Sequence, residues 1–226
     1  YHSHFPTGNA ARLSTFEASP AYLMSSKAPG RIRDYRDDMK LVVVFRDPVE
    51  RAYSAWNMYK SLYKVDNEWF HKWMKRCDER FRPQMLRARD REKFSSFHHA
   101  VTEGLAMIKA GGFFDFEAVD GIMEAPIVPV GHYAEHLERY LKRFDRNQIL
   151  VLDYADLKSD AKAVLTEIEN FVGLPPLDWE KQDLKPVFKG EYENTMPDKT
   201  RDLLREYYRP LNERFFKLVG RSFDWQ

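Results

Sequence analysis

Arg46, Asp47 and Ser54 are the residues of this chain whose types and spacing most readily suggest chemistry. A guanidinium presents a planar fork of N–H donors that matches phosphate oxygens, and a hydroxyl adds one further donor. Arg46 and Ser54 are therefore read as grips for a phosphoryl group. A second reading stays open, in which Arg46 pairs with a local carboxylate and Ser54 is a small packing residue. Asp47 has a different task. With Pro48 after it and Glu50 three positions on, it reads as a helix N-cap with proline at N1 and a capping box. Its carboxylate would occupy the first helix amides, so a phosphate bound nearby would depend on side chains and not on the bare helix end.

These residues need a strand and a helix to hold them. Lys40 to Phe45 is an apolar, largely β-branched run, which predicts a strand buried on both faces as in parallel sheets. A helix over 48–63 follows. Arg46 then stands at the carboxyl edge of the strand, where open α/β sheets bind ligands, and Ser54 lies about two turns into the helix.

Elsewhere the pattern predicts a short strand over 14–18 and a helix-containing connection from Pro20 to Arg36. A helix from Phe94 to Ala110 should stop at Gly111-Gly112, and another lies near 131–144. A strand over 148–154 follows. Ser159 is the expected N-cap of a helix whose face carries Val164, Ile168, Phe171 and Val172, with Gly173 as its stop. A last helix spans 197–219. Strands alternating with helices argue for a parallel sheet.

At 226 residues the chain suits one domain with a substantial core. With 43% hydrophobic and 15% aromatic residues it is globular and not disordered. A net charge of +1 gives no global polyanion signal, and no run of 18 apolar residues exists. Cys77 stands alone, which excludes an internal disulfide and a cysteine-rich zinc site. Residues 64–93 hold ten Lys/Arg against six Asp/Glu, with Trp69, Phe70, Trp73 and Phe81 interleaved. They read as an amphipathic helical excursion with a solvated basic face, or as a platform for an anionic or sugar ligand. Ser26-Lys27-Ala28-Pro29-Gly30 comes nearest to a glycine-rich phosphate loop, but Pro29 removes an amide donor.

The segment Arg46-Asp47-Pro48-Val49-Glu50-Arg51-Ala52-Tyr53-Ser54 resembles the 3′-phosphate-binding segment of sulfotransferases that use 3′-phosphoadenosine 5′-phosphosulfate (PAPS). Thr15 to Tyr22 with Lys27 to Ile32, Gly131 to Leu137, Gln148 to Leu157, and Tyr207 to Trp225 are similar to successive parts of heparan sulfate and other carbohydrate sulfotransferases. The resemblance implies an α/β fold: a three-layer parallel sheet flanked by helices, related to P-loop nucleotide kinases. It implies one sulfotransferase domain over 1–226 with a basic, aromatic helical insertion near 64–125. It implies PAPS as donor, adenosine 3′,5′-bisphosphate as product, no metal, and a carbohydrate acceptor. A small-molecule or tyrosine hydroxyl, or a polyanion-binding module without turnover, is the alternative. Arg46 and Ser54 would hold the 3′-phosphate, and Lys189 and Gly190 would close over the nucleotide. Tyr133 and His136 would line the acceptor side, and Glu17 would be a candidate acid/base group. By the same resemblance the first strand, the 5′-phosphosulfate loop and the main base precede Tyr1. Ala18 stands where many relatives carry lysine, and Glu191 where many carry arginine. The compartment is the Golgi lumen for a eukaryotic carbohydrate enzyme and the cytoplasm for a bacterial one.

Overall fold

In a computed structural model, residues 14–62, 68, 71–72, 75, 94–111, 127–185, 192 and 194–225 are described. Lys189 and Gly190, Cys77, and most of the 64–93 stretch lie outside them. Two short helices, α1 (Ala21–Met24) and α2 (Ala28–Tyr35), lead into strand β1 (Leu41–Phe45) and helix α3 (Pro48–Leu62). Then come α4 (Phe97–Lys109), α5 (Tyr133–Leu141), β2 (Ile149–Asp153), α6 (Tyr154–Ser159), α7 (Ala161–Val172) and the long α8 (Asp198–Val219).

The strands pair in parallel, with Leu41 opposite Ile149 and Phe45 opposite Asp153. One face of this two-stranded sheet carries Leu41, Val43, Phe45, Ile149 and Val151, packed against α5 and α8. Phe45 is 1% exposed and meets Tyr133 and Phe215 with ring centroids 4.7 Å away in each case. Aromatic contacts of this kind add about 0.5–1.5 kcal/mol beyond the area buried. The other face is less complete. Val42 and Val44 are 38% and 43% exposed, so the expectation of a strand buried on both faces is corrected for β1. The reason is period-two alternation: both valines point away from α5 and α8.

Helix α8 binds the halves of the molecule together. Its buried residues Thr200, Leu204, Tyr208, Phe215 and Val219 recur at helical spacing along one stripe. Leu204 and Tyr208 join a cluster with Val49, Ala52, Tyr53 and Trp56 of α3 and with Phe97 and Val101 of α4. Phe215 and Val219 belong to the cluster on the sheet. Each large apolar side chain so buried contributes roughly 1.5–3 kcal/mol. An Arg214 amino group adds a surface tie from α8 to α5, donating to both Glu138 carboxylate oxygens at 2.7 and 2.8 Å.

Two local expectations change. Residues 14–18 form no strand; Phe16 is 93% exposed, and no described strand pairs with this segment. Ser159 is the last residue of α6, its hydroxyl donating to the Asp156 carbonyl at 3.1 Å. Asp160 caps α7 in its place, accepting from the Ala163 amide at 3.0 Å. Both residues are good caps, and sequence alone did not rank them. The glycine stops hold, with Gly111 at φ 82° and Gly173 at φ 76°.

Candidate active site

The site grows from the junction of β1 and α3. Asp47 Oδ1 accepts the amide protons of Val49 at 2.7 Å and Glu50 at 3.3 Å, so the head of α3 is capped from within. Burial nevertheless holds the Asp47 carboxyl above the usual carboxylate range, outweighing these two amides. Glu50, expected to close a capping box, has an oxygen 3.9 Å from the Arg46 guanidinium. That separation is too long for a hydrogen bond. The Arg46 side chain remains 29% exposed.

Parallel register explains what else touches Arg46. Phe45 is opposite Asp153, so the next residues, Arg46 and Tyr154, leave the same sheet edge side by side. The Arg46 guanidinium lies over the Tyr154 ring, 5.1 Å from its centroid. From beneath, the Tyr133 hydroxyl donates to the Arg46 carbonyl at 2.7 Å. Tyr133 is 4% exposed, and burial pushes its phenol up to about 12, so it stays a neutral donor.

Ser54 lies on α3 with its side chain partly exposed. Its Oγ accepts from the Tyr192 hydroxyl at 2.9 Å. The Tyr192 ring packs edge-on against Tyr53, centroids 5.5 Å apart, while the Tyr53 hydroxyl donates to the Asn194 carbonyl. The chain just before α8 is thus fastened onto α3 at the serine. A hydroxyl that accepts from tyrosine keeps its own proton to donate.

Tyr133 and His136, expected on the acceptor side, are 4% and 2% exposed. Tyr133 packs in the cluster on the sheet and α8, and His136 is buried on the same helix. His136 Nδ1 accepts from Arg139 at 2.7 Å, and burial, with the neighbouring Arg139 charge, drives its pKa down to about 3. Glu17 is exposed and accepts from the Tyr22 hydroxyl. Tyr154 and Tyr192 went unnoticed in the sequence reading. The parallel register would have found Tyr154; the position of Tyr192 shortly after Lys189-Gly190 was the only signal for it. Among the described residues no cluster of His, Cys, Asp or Glu could hold a metal, and no helix is long and apolar enough to cross a membrane.

The sequence profile described as "Sulfotransferase domain" matches residues 31–196, a span that includes β1, Arg46, Ser54, β2 and Tyr192. The chain belongs to the sulfotransferase domain family. Among curated proteins it is 27% identical over 232 residues to mouse heparan sulfate glucosamine 3-O-sulfotransferase 3B1, covering 93% of this chain and 50% of that protein. It is 26% identical to mouse bifunctional heparan sulfate N-deacetylase/N-sulfotransferase 4, across 98% of this chain and 24% of that protein. Human carbohydrate sulfotransferase 15 is 25% identical over 86% of this chain and 32% of its own length. The chain thus spans half or less of these three relatives. The crystal structure of a sulfotransferase from Alicyclobacillus acidocaldarius superposes with a TM-score of 0.57 at 22% identity, covering 92% of this chain and 65% of that one. That likeness shows the α/β fold.

Proposed function

We propose that this sulfotransferase domain moves a sulfuryl group from PAPS to a hydroxyl or amine of a carbohydrate. What supports the reading is a partly exposed Arg46 guanidinium at the sheet edge and a partly exposed Ser54 hydroxyl on the helix that follows. The residues present fit a nucleotide 3′-phosphate. Arg46 is braced by Tyr154 and only loosely paired with Glu50, so its fork can meet two oxygens. Ser54, held by Tyr192, supplies one more donor. Asp47 keeps the helix amides occupied, so binding is done by side chains.

PAPS, when bound, supplies the sulfuryl group and departs as adenosine 3′,5′-bisphosphate. The protein's part in such a transfer is to hold the donor phosphates, align the acceptor oxygen with the bond that breaks, and take the acceptor's proton. Arg46 and Ser54 are assigned to the 3′-phosphate, with Lys189 and Gly190 proposed to close over the nucleotide. Glu17 is the carboxylate proposed for acid/base work in this chain. The relatives named for heparan sulfate and carbohydrate sulfation support a sugar acceptor.

Binding of adenosine 3′,5′-bisphosphate to the wild type and to Arg46→Ala tests this reading by titration calorimetry. Losing a charge-assisted phosphate contact should weaken binding by about 1.5–3 kcal/mol. Equal affinities would remove Arg46 from the site and the donor assignment with it.

A further inference from the structure

A second feature of the molecule is an open basin of about 440 Å³ between the start of α2 and the end of α5. Among the described residues five cations line it, Lys27, Arg31, Arg139, Lys142 and Arg143, against one carboxylate, Asp34. In a chain whose net charge is only +1, this is a local concentration of positive charge. It is separate from the Arg46 site. Helix α5 begins at Tyr133, whose hydroxyl reaches the Arg46 carbonyl, and Lys142 directly follows its last residue. At 1.5 Å per residue the two ends lie roughly 13 Å apart.

The basin is built to hold charge and does not provide a cradle of backbone amides. Ser25 Oγ already accepts the amide protons of Lys27 at 3.2 Å and Ala28 at 2.9 Å, and Pro29 has none to offer. A compact phosphate gripped by a loop would need those donors. Lys27, Arg31, Lys142 and Arg143 are exposed instead, on long side chains that suit a diffuse line of anions. Arg139 forms the floor: its guanidinium donates to the Leu23 and Met24 carbonyls at 3.3 and 3.1 Å, which fixes α1 against α5. Among the described residues the lining includes no aromatic ring on which a nucleobase could stack and no large apolar side chain to enter a lipid surface.

We infer that this basin binds the sulfate and carboxylate groups of an extended acidic polysaccharide, several sugar units away from the reacting position. The inference rests on the carbohydrate-acceptor reading and deepens it. It makes the acceptor an anionic chain held at two places, the reacting sugar near the Arg46 edge and a distant stretch between α2 and α5. Long acceptors then gain affinity that short ones cannot.

The test compares a heparan sulfate disaccharide with an octasaccharide, by fluorescence titration, on the wild type and on the exposed double variant Lys142→Ala/Arg143→Ala. Adenosine 3′,5′-bisphosphate binding is measured in parallel. The expected result is a loss of at least fivefold in octasaccharide affinity, with disaccharide and bisphosphate binding unchanged. The slope of log affinity against log salt should fall by about two, one for each cation removed. Equal octasaccharide affinity in both proteins overturns the proposal, and so does a single-stranded DNA of matched charge that binds as tightly and is lost in parallel. Should the double variant fold poorly, Asp34→Asn reads the same site in the other direction. It should tighten octasaccharide binding, and no change there is equally fatal. Bisphosphate binding without any preference for chain length sinks the basin and spares the donor reading; the reverse pattern sinks the donor reading and spares the basin.

Discussion

The Tyr192 hydroxyl donates to Ser54 Oγ at 2.9 Å, so the chain entering α8 reaches across to the middle of α3. Tyr192 is 42% exposed, and little stability depends on its hydroxyl. Its effect lies in leaving the Ser54 proton available, since the serine oxygen accepts from the tyrosine. Tyr192→Phe should weaken adenosine 3′,5′-bisphosphate binding by about 0.5–1.5 kcal/mol, the worth of one neutral hydrogen bond. The melting temperature should stay unchanged. Calorimetric titration beside a thermal scan reads both.

Tyr133 supports Arg46 through the backbone. Tyr133→Phe leaves the ring packed against Phe45 and Phe215 and removes the donor to the Arg46 carbonyl. Stability should fall by about 0.5–1.5 kcal/mol. Bisphosphate affinity should fall as well, because the last residue of the sheet edge loses its anchor. Urea denaturation together with ligand titration separates the two effects; intact affinity would make Tyr133 a packing residue alone.

Acid should expose His136. Its imidazole titrates at about 3 in the folded protein, depressed first by burial and then by Arg139. In an unfolded chain the ordinary value is about 6.5. Between those values the unfolded chain takes up a proton that the folded one refuses. The stabilising contribution is therefore complete above about pH 6.5 and is lost as pH falls toward 3, at no more than about 1.4 kcal/mol per pH unit. Urea midpoints at pH 7.5, 6 and 5 should fall in that order, and the fall should be shallower in His136→Gln.

Gly131 is needed for closeness and not for an unusual backbone angle. A Cβ placed there would stand 2.6 Å from a Tyr208 ring carbon, while the buried Tyr208 hydroxyl donates to the Val128 carbonyl at 2.7 Å. Neither group can retreat without losing a buried hydrogen bond. Gly131→Ala should cost about 1–3 kcal/mol by overpacking. The melting temperature should drop by roughly 2–4 °C for each kcal/mol.

Local chemistry was the part most readily legible in the sequence. The Asp47 cap, the β1 and β2 runs, the glycine stops and the start of α8 are each set by a few adjacent residues. What the sequence hid was long-range. Val42 and Val44 look like core residues, and only the packing of α5 and α8 on the opposite face shows which side of β1 is covered. Tyr154 and Tyr192 reach Arg46 and Ser54 across 108 and 138 positions of chain, a distance over which local spacing carries no information. Tyr133 and His136 were placed by the resemblance alone, and only the tertiary packing of α5 shows that both are buried.

The aspartate at the head of α3 has an evolutionary consequence. A site that grips phosphate with a glycine-rich loop must keep the course of its main chain, and changing its preference means reshaping that loop. Here the helix terminus is already neutralised, so on the proposed reading selectivity at the 3′-phosphate would be vested in replaceable side chains such as Arg46 and Ser54. One or two codon changes could then redirect donor choice while the hydrophobic framework stays as it is.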